Sequence, residues 1–269
     1  MRLLRNSQAD LVIGTGGYIS PPVVIAAWLL GVKRTLLEPN AIPGIANRLL
    51  GRIAHRIFHS FEQTTHYFNS TKVRLVGAPL RKAFADLSPK GPSNNMTKLL
   101  VCGGSQGSKA INTAMIAAMQ ESPVLRNELQ LIHQTGTDDY RRVRKAYSEM
   151  GYQCEVVPFI VNMSATLSSV DFVISRCGAL TLAEIAACGK PALLVPFPEA
   201  AQHHQEYNAR VVEKAGAGIV VLQSELTGAR LATEIELLIK EPTRVYRMAE
   251  KSLSLRKVNS TEVMVHECY

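Results

Sequence analysis

The stretch Val170-Asp171-Phe172-Val173-Ile174-Ser175-Arg176-Cys177-Gly178-Ala179-Leu180-Thr181-Leu182-Ala183-Glu184 decides the fold class of this chain. Its first five residues form a short, mostly apolar run of buried-strand type. Ala179 to Ala187 has helix-forming composition and ends at Gly189-Lys190-Pro191. A buried strand that passes through a bare glycine turn into a helix is the repeating unit of a parallel α/β sheet. The turn aims free amides outward. Backbone N–H groups of Ala179, Leu180 and Thr181, at the positive end of the helix dipole, favour a phosphate. Glu184 lies about one turn further on, where a carboxylate can grip a ribose. The competing reading is an ordinary strand-to-helix joint with a surface glutamate, because such turns are common in α/β folds.

On both sides of this stretch strand and helix signals alternate, which predicts parallel sheets covered by helices. Before it come strand Leu99 to Cys102, helix Ser108 to Gln120, strand Leu129 to His133, helix Asp138 to Met150, strand Cys154 to Pro158 and a short helix Asn162 to Ser168. After it come strand Ala192 to Val195, helix Gln202 to Ala215, strand Gly218 to Leu222 and a helix over 225–240. Together these make a full doubly wound unit. The polar run within 83–97, rich in Pro, Gly, Ser and Asn, reads as a linker. The expected domains are therefore an incomplete N-terminal one over 1–82, a C-terminal one over 98–245, and a polar tail of weak helical character over 246–269. The N-terminal part offers strands at Leu11 to Ile13 and near Arg34, Ile57 and Val73, with helices Pro21 to Leu30 and Gly44 to Ala54. It reads as half a domain that exposes a sheet edge.

Composition narrows the function. A chain of 269 residues with 46% hydrophobic content can bury a sizeable core. Its longest apolar run, Pro21 to Val32, falls short of the roughly 18 to 20 residues that span a bilayer. Met1 to Asn6 lacks the apolar core of a signal peptide, which predicts a cytoplasmic protein. The five cysteines form no C-x-x-C pair and read as reduced. A net charge of +8 implies an anionic partner: nucleic acid, an acidic membrane surface or a phosphate-bearing substrate. No aromatic-rich basic motif or zinc-finger spacing supports nucleic acid, so none is expected.

Other segments carry chemistry of the same kind. Gly103-Gly104-Ser105-Gln106-Gly107-Ser108 follows a strand and opens a helix, so Ser105 and the first helical amides are placed for a pyrophosphate oxygen. It matches neither a Walker A loop nor the G-x-G-x-x-G fingerprint, and a structural glycine turn is the alternative. Gly14-Thr15-Gly16-Gly17-Tyr18 is a third glycine loop, which either meets a ligand or lets the chain pass a neighbouring domain. The run Pro196 to Ala209 puts amides and imidazoles, Gln205 and His204 among them, on the rim where α/β sheets bind ligands. Adjacent His203 and His204 do not share a helix face, so no metal is expected there. Glu38, Asn40 and Arg81 are isolated polar residues that by themselves read as loop positions. Trp28, the only tryptophan, lies in an apolar helix near Lys33, Arg34, Arg48, Arg52 and Arg56. Core packing and docking on an anionic lipid surface are both open to it.

In this order and over almost the whole chain, the set Gly14–Tyr18, Asn40, Val76–Arg81, Gly103–Gly107, Pro158–Ile160, Gly178–Glu184 and Gln205–Ala209 resembles the MurG glycosyltransferases, glycosyltransferase family 28. The resemblance implies the GT-B arrangement, two Rossmann-like domains with the active site in the cleft. It implies transfer of N-acetylglucosamine from UDP-N-acetylglucosamine to undecaprenyl-linked lipid I, giving lipid II for peptidoglycan, with inversion and with no cofactor or metal. It assigns the backbone at Phe159 and Ile160 to uracil, Glu184 to the ribose, and Ser105 with the amides of Ala179, Leu180 and Thr181 to the diphosphate. Gln205 and, from the opposite domain, Asn40 would meet the sugar, and Arg81 and Arg176 would line the cleft. Trp28 matches the family's apolar, base-rimmed patch, which implies peripheral docking on the cytoplasmic face of the membrane.

The chain departs from the family pattern at its start. Family members begin with a strand and a G-G-T-G-G-H loop whose histidine is a candidate general base. No such segment is present, so the N-terminal domain is expected to be incomplete and no residue, His55, His59 and His66 included, is assigned as base. Two other readings stand beside the transferase: a UDP-sugar-binding chain without transfer activity, and a nucleotide-sugar epimerase. The lack of further carboxylate and histidine candidates argues against the epimerase.

Overall fold

The computed structural model describes residues 1–87 and 96–268, so positions 88–95 of the expected linker lie outside the described residues. The chain opens with α1 (Arg2–Asn6), β1 (Leu11–Gly14), α2 (Ser20–Leu29), β2 (Lys33–Glu38), α3 (Ile45–Leu50), β3 (Arg56–His59), β4 (Val73–Leu75) and α4 (Lys82–Ala85). The four strands are parallel in the order β1-β2-β3-β4. Proline in the first turn and the Ser20 hydroxyl, which donates to the Gly16 carbonyl (2.7 Å), start α2. Val12, Val24, Ala27, Leu36, Leu50 and Ile57 form the core between sheet and helices. Helix α3 is shorter than the sequence predicts. Beyond Leu50 the chain tightens into turns, and His55 N–H joins the sheet at the Arg34 carbonyl (2.9 Å).

The second unit runs β5 (Thr97–Cys102), α5 (Lys109–Glu121), α6 (Pro123–Glu128), β6 (Leu129–Gln134), α7 (Tyr140–Glu149), β7 (Glu155–Val157), α8 (Met163–Ser169), β8 (Phe172–Ser175), α9 (Ala179–Ala187), β9 (Ala192–Leu194), α10 (His204–Lys214) and β10 (Gly218–Val220). Its six strands are parallel in the order β10-β9-β8-β5-β6-β7. The strand order reverses between β5 and β8, so the crevice beyond their C-terminal ends is where an α/β sheet of this kind takes a ligand. Apolar clusters cover both faces, one around Leu99, Met115 and Phe172, the other around Leu100, Val173 and Leu194.

The tail is more ordered than its composition predicts. After α11 (Gly228–Lys240) it folds as α12 (Pro242–Ser254) and α13 (Ser260–Cys268). α13 returns to the first sheet, where Met264 and Cys268 pack on Phe58 and Val76. The Ser260 hydroxyl donates to the Val76 carbonyl (2.6 Å), Lys33 Nζ donates to the Cys268 carbonyl (2.6 Å), and Glu267 pairs with Arg56 and Arg74. Only two apolar residues four positions apart face the sheet, a stripe too narrow to announce an amphipathic helix. Among the described residues no helix is long and apolar enough to cross a membrane.

Candidate active site

The crevice at the switch point holds a cavity of about 540 Å³. The glycine loop after β5 forms one wall, and Gly178 and Thr181 at the start of α9 form another. Two glycines let the first loop lie flat. Gly107 has φ +76° and packs on the Thr135 carbonyl, so a Cβ there would overlap backbone, and a Cβ at Gly103 would overlap the Ser108 amide. Ser108, rather than Ser105, caps α5, its Oγ accepting from Ile111 N–H (3.4 Å). Ser105 stays exposed on the cavity rim. On the other wall the first intrahelical bond of α9 runs from Leu182 N–H to the Gly178 carbonyl (3.0 Å), so the amides of Ala179, Leu180 and Thr181 stand ahead of it at the positive end of the dipole. Ala179 is buried, Thr181 half-buried and Leu180 exposed.

Glu184 is half-buried along α9. Desolvation raises its pKa above the ordinary carboxylate value, and the charge of Arg81, an exposed residue from the other side of the domain boundary, pulls it back. The two expectations for the arginines part here. Arg81 stays open to solvent, whereas Arg176 lines the cavity with its guanidinium turned into the protein. Its Nη1 donates to the carbonyls of Val195 (3.2 Å) and Pro196 (3.0 Å), its Nη2 to Ser108 Oγ (2.8 Å) and Gln223 Oε1 (2.6 Å), and Phe197 stacks beneath it at 5.3 Å. Arg176 holds the end of β9 to the start of α5, and burial lowers its pKa.

Three more of the expected site positions carry hydrogen bonds the sequence does not display. At the backbone that the resemblance assigns to uracil, Ile160 is buried and its N–H donates to Gln134 Oε1 (3.1 Å), while Phe159 next to it is half-exposed. Gln205 accepts from the amides of Cys177 and Phe197 (both 3.1 Å), so its carbonyl oxygen holds two loops together. Asn40 meets the other domain through its side chain, where Oδ1 accepts from Asn208 Nδ2 (3.1 Å), and its Nδ2 donates to Glu38 Oε1 (3.3 Å). The helix expected from Gln202 begins at His204, because Gln202 and His203 adopt φ of +55° and +53°.

Residues 1–59 match the glycosyltransferase family 28 N-terminal domain and residues 98–264 its C-terminal domain. A UDP-N-acetylglucosamine–N-acetylmuramyl-(pentapeptide) pyrophosphoryl-undecaprenol N-acetylglucosamine transferase of Syntrophus aciditrophicus (strain SB) is 41% identical over 100% of this chain and 74% of its own length. The chain belongs to glycosyltransferase family 28. In crystal form, the MurG of Acinetobacter baumannii superposes on this family 28 chain with a TM-score of 0.86 at 29% identity, over 99% of this chain and 75% of that one. The two sheets thus form the GT-B arrangement. A UDP-GlcNAc 2-epimerase from Neisseria meningitidis, solved with UDP-GlcNAc, reaches a TM-score of 0.69 at 14% identity over 98% of this chain and 77% of that one, a likeness of fold alone.

Several organising residues of this family 28 site escape sequence reasoning. Asn208, fully buried on α10, accepts from Ala41 N–H (2.8 Å) and donates to the Cys177 carbonyl (3.2 Å), joining the two domains at the turn before α9. Glu38 ends β2 as a buried carboxylate that accepts from Asn40 N–H (3.0 Å), Gly44 N–H (3.0 Å) and Asn47 Nδ2 (2.9 Å). His133 on β6 is buried between Tyr147 OH (2.8 Å) and Asn112 Oδ1 (3.0 Å). Asn112 donates through Nδ2 to the Thr135 carbonyl and Asp139 (3.0 and 2.8 Å), so its Oδ1 can only accept and His133 carries its proton on Nε2. The visible signal for Glu38 and His133 was a polar residue at the end of an apolar run; Asn208 sits in a polar stretch and gave none. Trp28 does not line the cavity. It is 49% exposed on α2, as are Ile25 and Leu29 nearby.

Proposed function

We propose that the chain transfers N-acetylglucosamine from UDP-N-acetylglucosamine to lipid I, forming lipid II for peptidoglycan, the step for which its relatives are named. One observation carries this reading: two helix N-termini, of α5 and α9, open on one cavity at the switch point, with a half-buried carboxylate a turn along the second. Ser105 and the amides of Ala179 to Thr181 hold the diphosphate, and Glu184 accepts from the ribose hydroxyls. The Phe159–Ile160 segment meets uracil, through the Ile160 carbonyl while its N–H is held by Gln134. Asn40 and Gln205 shape the sugar side, and the Arg81 charge favours the ionised form of Glu184 against its burial. The acceptor 4-hydroxyl attacks the anomeric carbon opposite the diphosphate. As the new C–O bond forms, the bond to UDP breaks and its electron pair passes to a phosphate oxygen facing the helix N-termini; the hydroxyl proton goes to a base on the acceptor side.

Docking on the anionic cytoplasmic face of the membrane belongs to the same reading. The exposed Ile25, Trp28 and Leu29 on α2 support it, with a hollow of about 630 Å³ lined by Arg48, Arg52, His66 and Lys72. The test supplies UDP-N-acetylglucosamine and a lipid I analogue in anionic vesicles, and measures UDP release and lipid II. Turnover that falls in Glu184→Gln is the expected result. UDP binding without any lipid II would overturn the transfer reading and leave a donor-binding chain.

A further inference from the structure

Gln134 is the last residue of β6, in register with Cys102 on one side and Val157 on the other, and only 2% exposed. Its Nε2 donates to the Gly104 carbonyl (2.8 Å) and its Oε1 accepts from Ile160 N–H (3.1 Å). One buried amide therefore ties the glycine loop after β5 to the segment after β7. Backbone bonds hold the ends of both segments as well, Gly107 N–H donating to the Gly104 carbonyl (2.9 Å) and Gly136 N–H to the Pro158 carbonyl (3.1 Å), while the residues between are open. Gly104 has φ +89° with open space around it, Ser105 and Gln106 are exposed, and so are Pro158 and Phe159. The far end of the glycine loop is fixed where Gly107 packs on Thr135, and at the near end Gln134 adds the side-chain link from Gly104 to Ile160.

We infer that Gln134 is a positioning residue that sets the spacing between the base-side and diphosphate-side segments, so that a ligand spanning both binds with an advantage its halves lack. The inference rests on the donor-site reading above. A ligand that touches one segment does not sense their spacing. UDP touches both, and it loses affinity once the Gly104 and Ile160 ends can shift against each other, because binding must then restore their spacing.

The test titrates the full chain with uridine, pyrophosphate and UDP by calorimetry, as wild type, Gln134→Leu and Gln134→Glu. Leucine removes both bonds. Glutamate keeps an acceptor for Ile160 N–H and loses the donor to Gly104, and it carries the comparison alone if the leucine variant does not fold. UDP affinity is expected to fall about tenfold, the worth of one hydrogen bond, while uridine and pyrophosphate stay within about twofold. Equal losses for all three ligands would mean local disorder only and would overturn the inference, as would unchanged UDP affinity. Wild type that binds neither uridine nor UDP would overturn the donor-site reading and this inference with it, a result distinct from wild type that binds UDP beside variants that bind it equally well.

Discussion

Glu184 shows how a single carboxylate is tuned by two opposing effects. Burial raises its pKa above the ordinary 4.5 and the Arg81 charge lowers it again. Only the ionised form accepts from two hydroxyls, so UDP affinity should decline on acidification with a midpoint above 4.5, and Arg81→Met should move that midpoint higher. Calorimetric titration across pH reads both. Glu184→Gln should remove the part of the pH dependence that Arg81→Met shifts, leaving that of the UDP terminal phosphate, and weaken UDP about 10- to 100-fold, since hydrogen bonds to a charged group are worth about 1.5–3 kcal/mol. His133 acts through stability instead. Burial pushes its pKa down to about 3, so it stays neutral in the folded chain and takes a proton on unfolding. Its contribution is therefore full above the unfolded value near 6.5 and is lost as pH falls below that. Urea midpoints should drop between pH 6.5 and 5, where most carboxylates remain ionised, and His133→Gln should flatten that drop while lowering stability at neutral pH. An unchanged slope in the variant would assign the drop to other groups.

At the scale of elements, the return of α13 to the first sheet depends more on backbone fit than on charge. Arg56, Arg74 and Glu267 form a visible ion triad, yet their side chains are 36%, 44% and 25% exposed. Such pairs contribute about 0–1 kcal/mol each, so Glu267→Ala should cost little. Gly77, just past β4, has φ +87° and lies against Lys257 and Ser260 where the chain enters α13. Alanine there carries a left-handed penalty of about 1–2 kcal/mol and overlaps the Lys257 side chain as well. Gly77→Ala should therefore destabilise more than Glu267→Ala, and limited proteolysis should cut first within 257–268. Equal protease resistance in both variants would refute this ranking. These elements were unevenly legible beforehand. The helices under long apolar periodicity, α5 and α9, begin and end within a residue or two of expectation, because their signals are local. α13 was not, because what holds it is a surface 184 residues away in sequence.

For the whole molecule the decisive contact is Asn208, whose partners Ala41 and Asn40 belong to the other domain. Asn208→Leu leaves buried partners unsatisfied, at about 1–3 kcal/mol each. Calorimetry should then resolve two unfolding transitions against a single one expected for the wild type, and transfer should fall further than UDP affinity. A single transition with unaltered turnover would show that the domains are coupled elsewhere. The sequence by itself determined the α/β class, the strand and helix order, and the glycine turns at which phosphate chemistry is possible, because periodicity and turn residues act over a few neighbours. It also placed Ser105, Glu184 and Arg81 among the candidates. Only the tertiary structure decided that Arg176 and Gln205 brace the cavity walls, that Gln134 holds the Ile160 amide, and that Glu38 and Asn208 organise the domain boundary. A buried polar group takes whichever partner folding brings within about 3 Å, and those partners lie up to 168 residues apart in this chain.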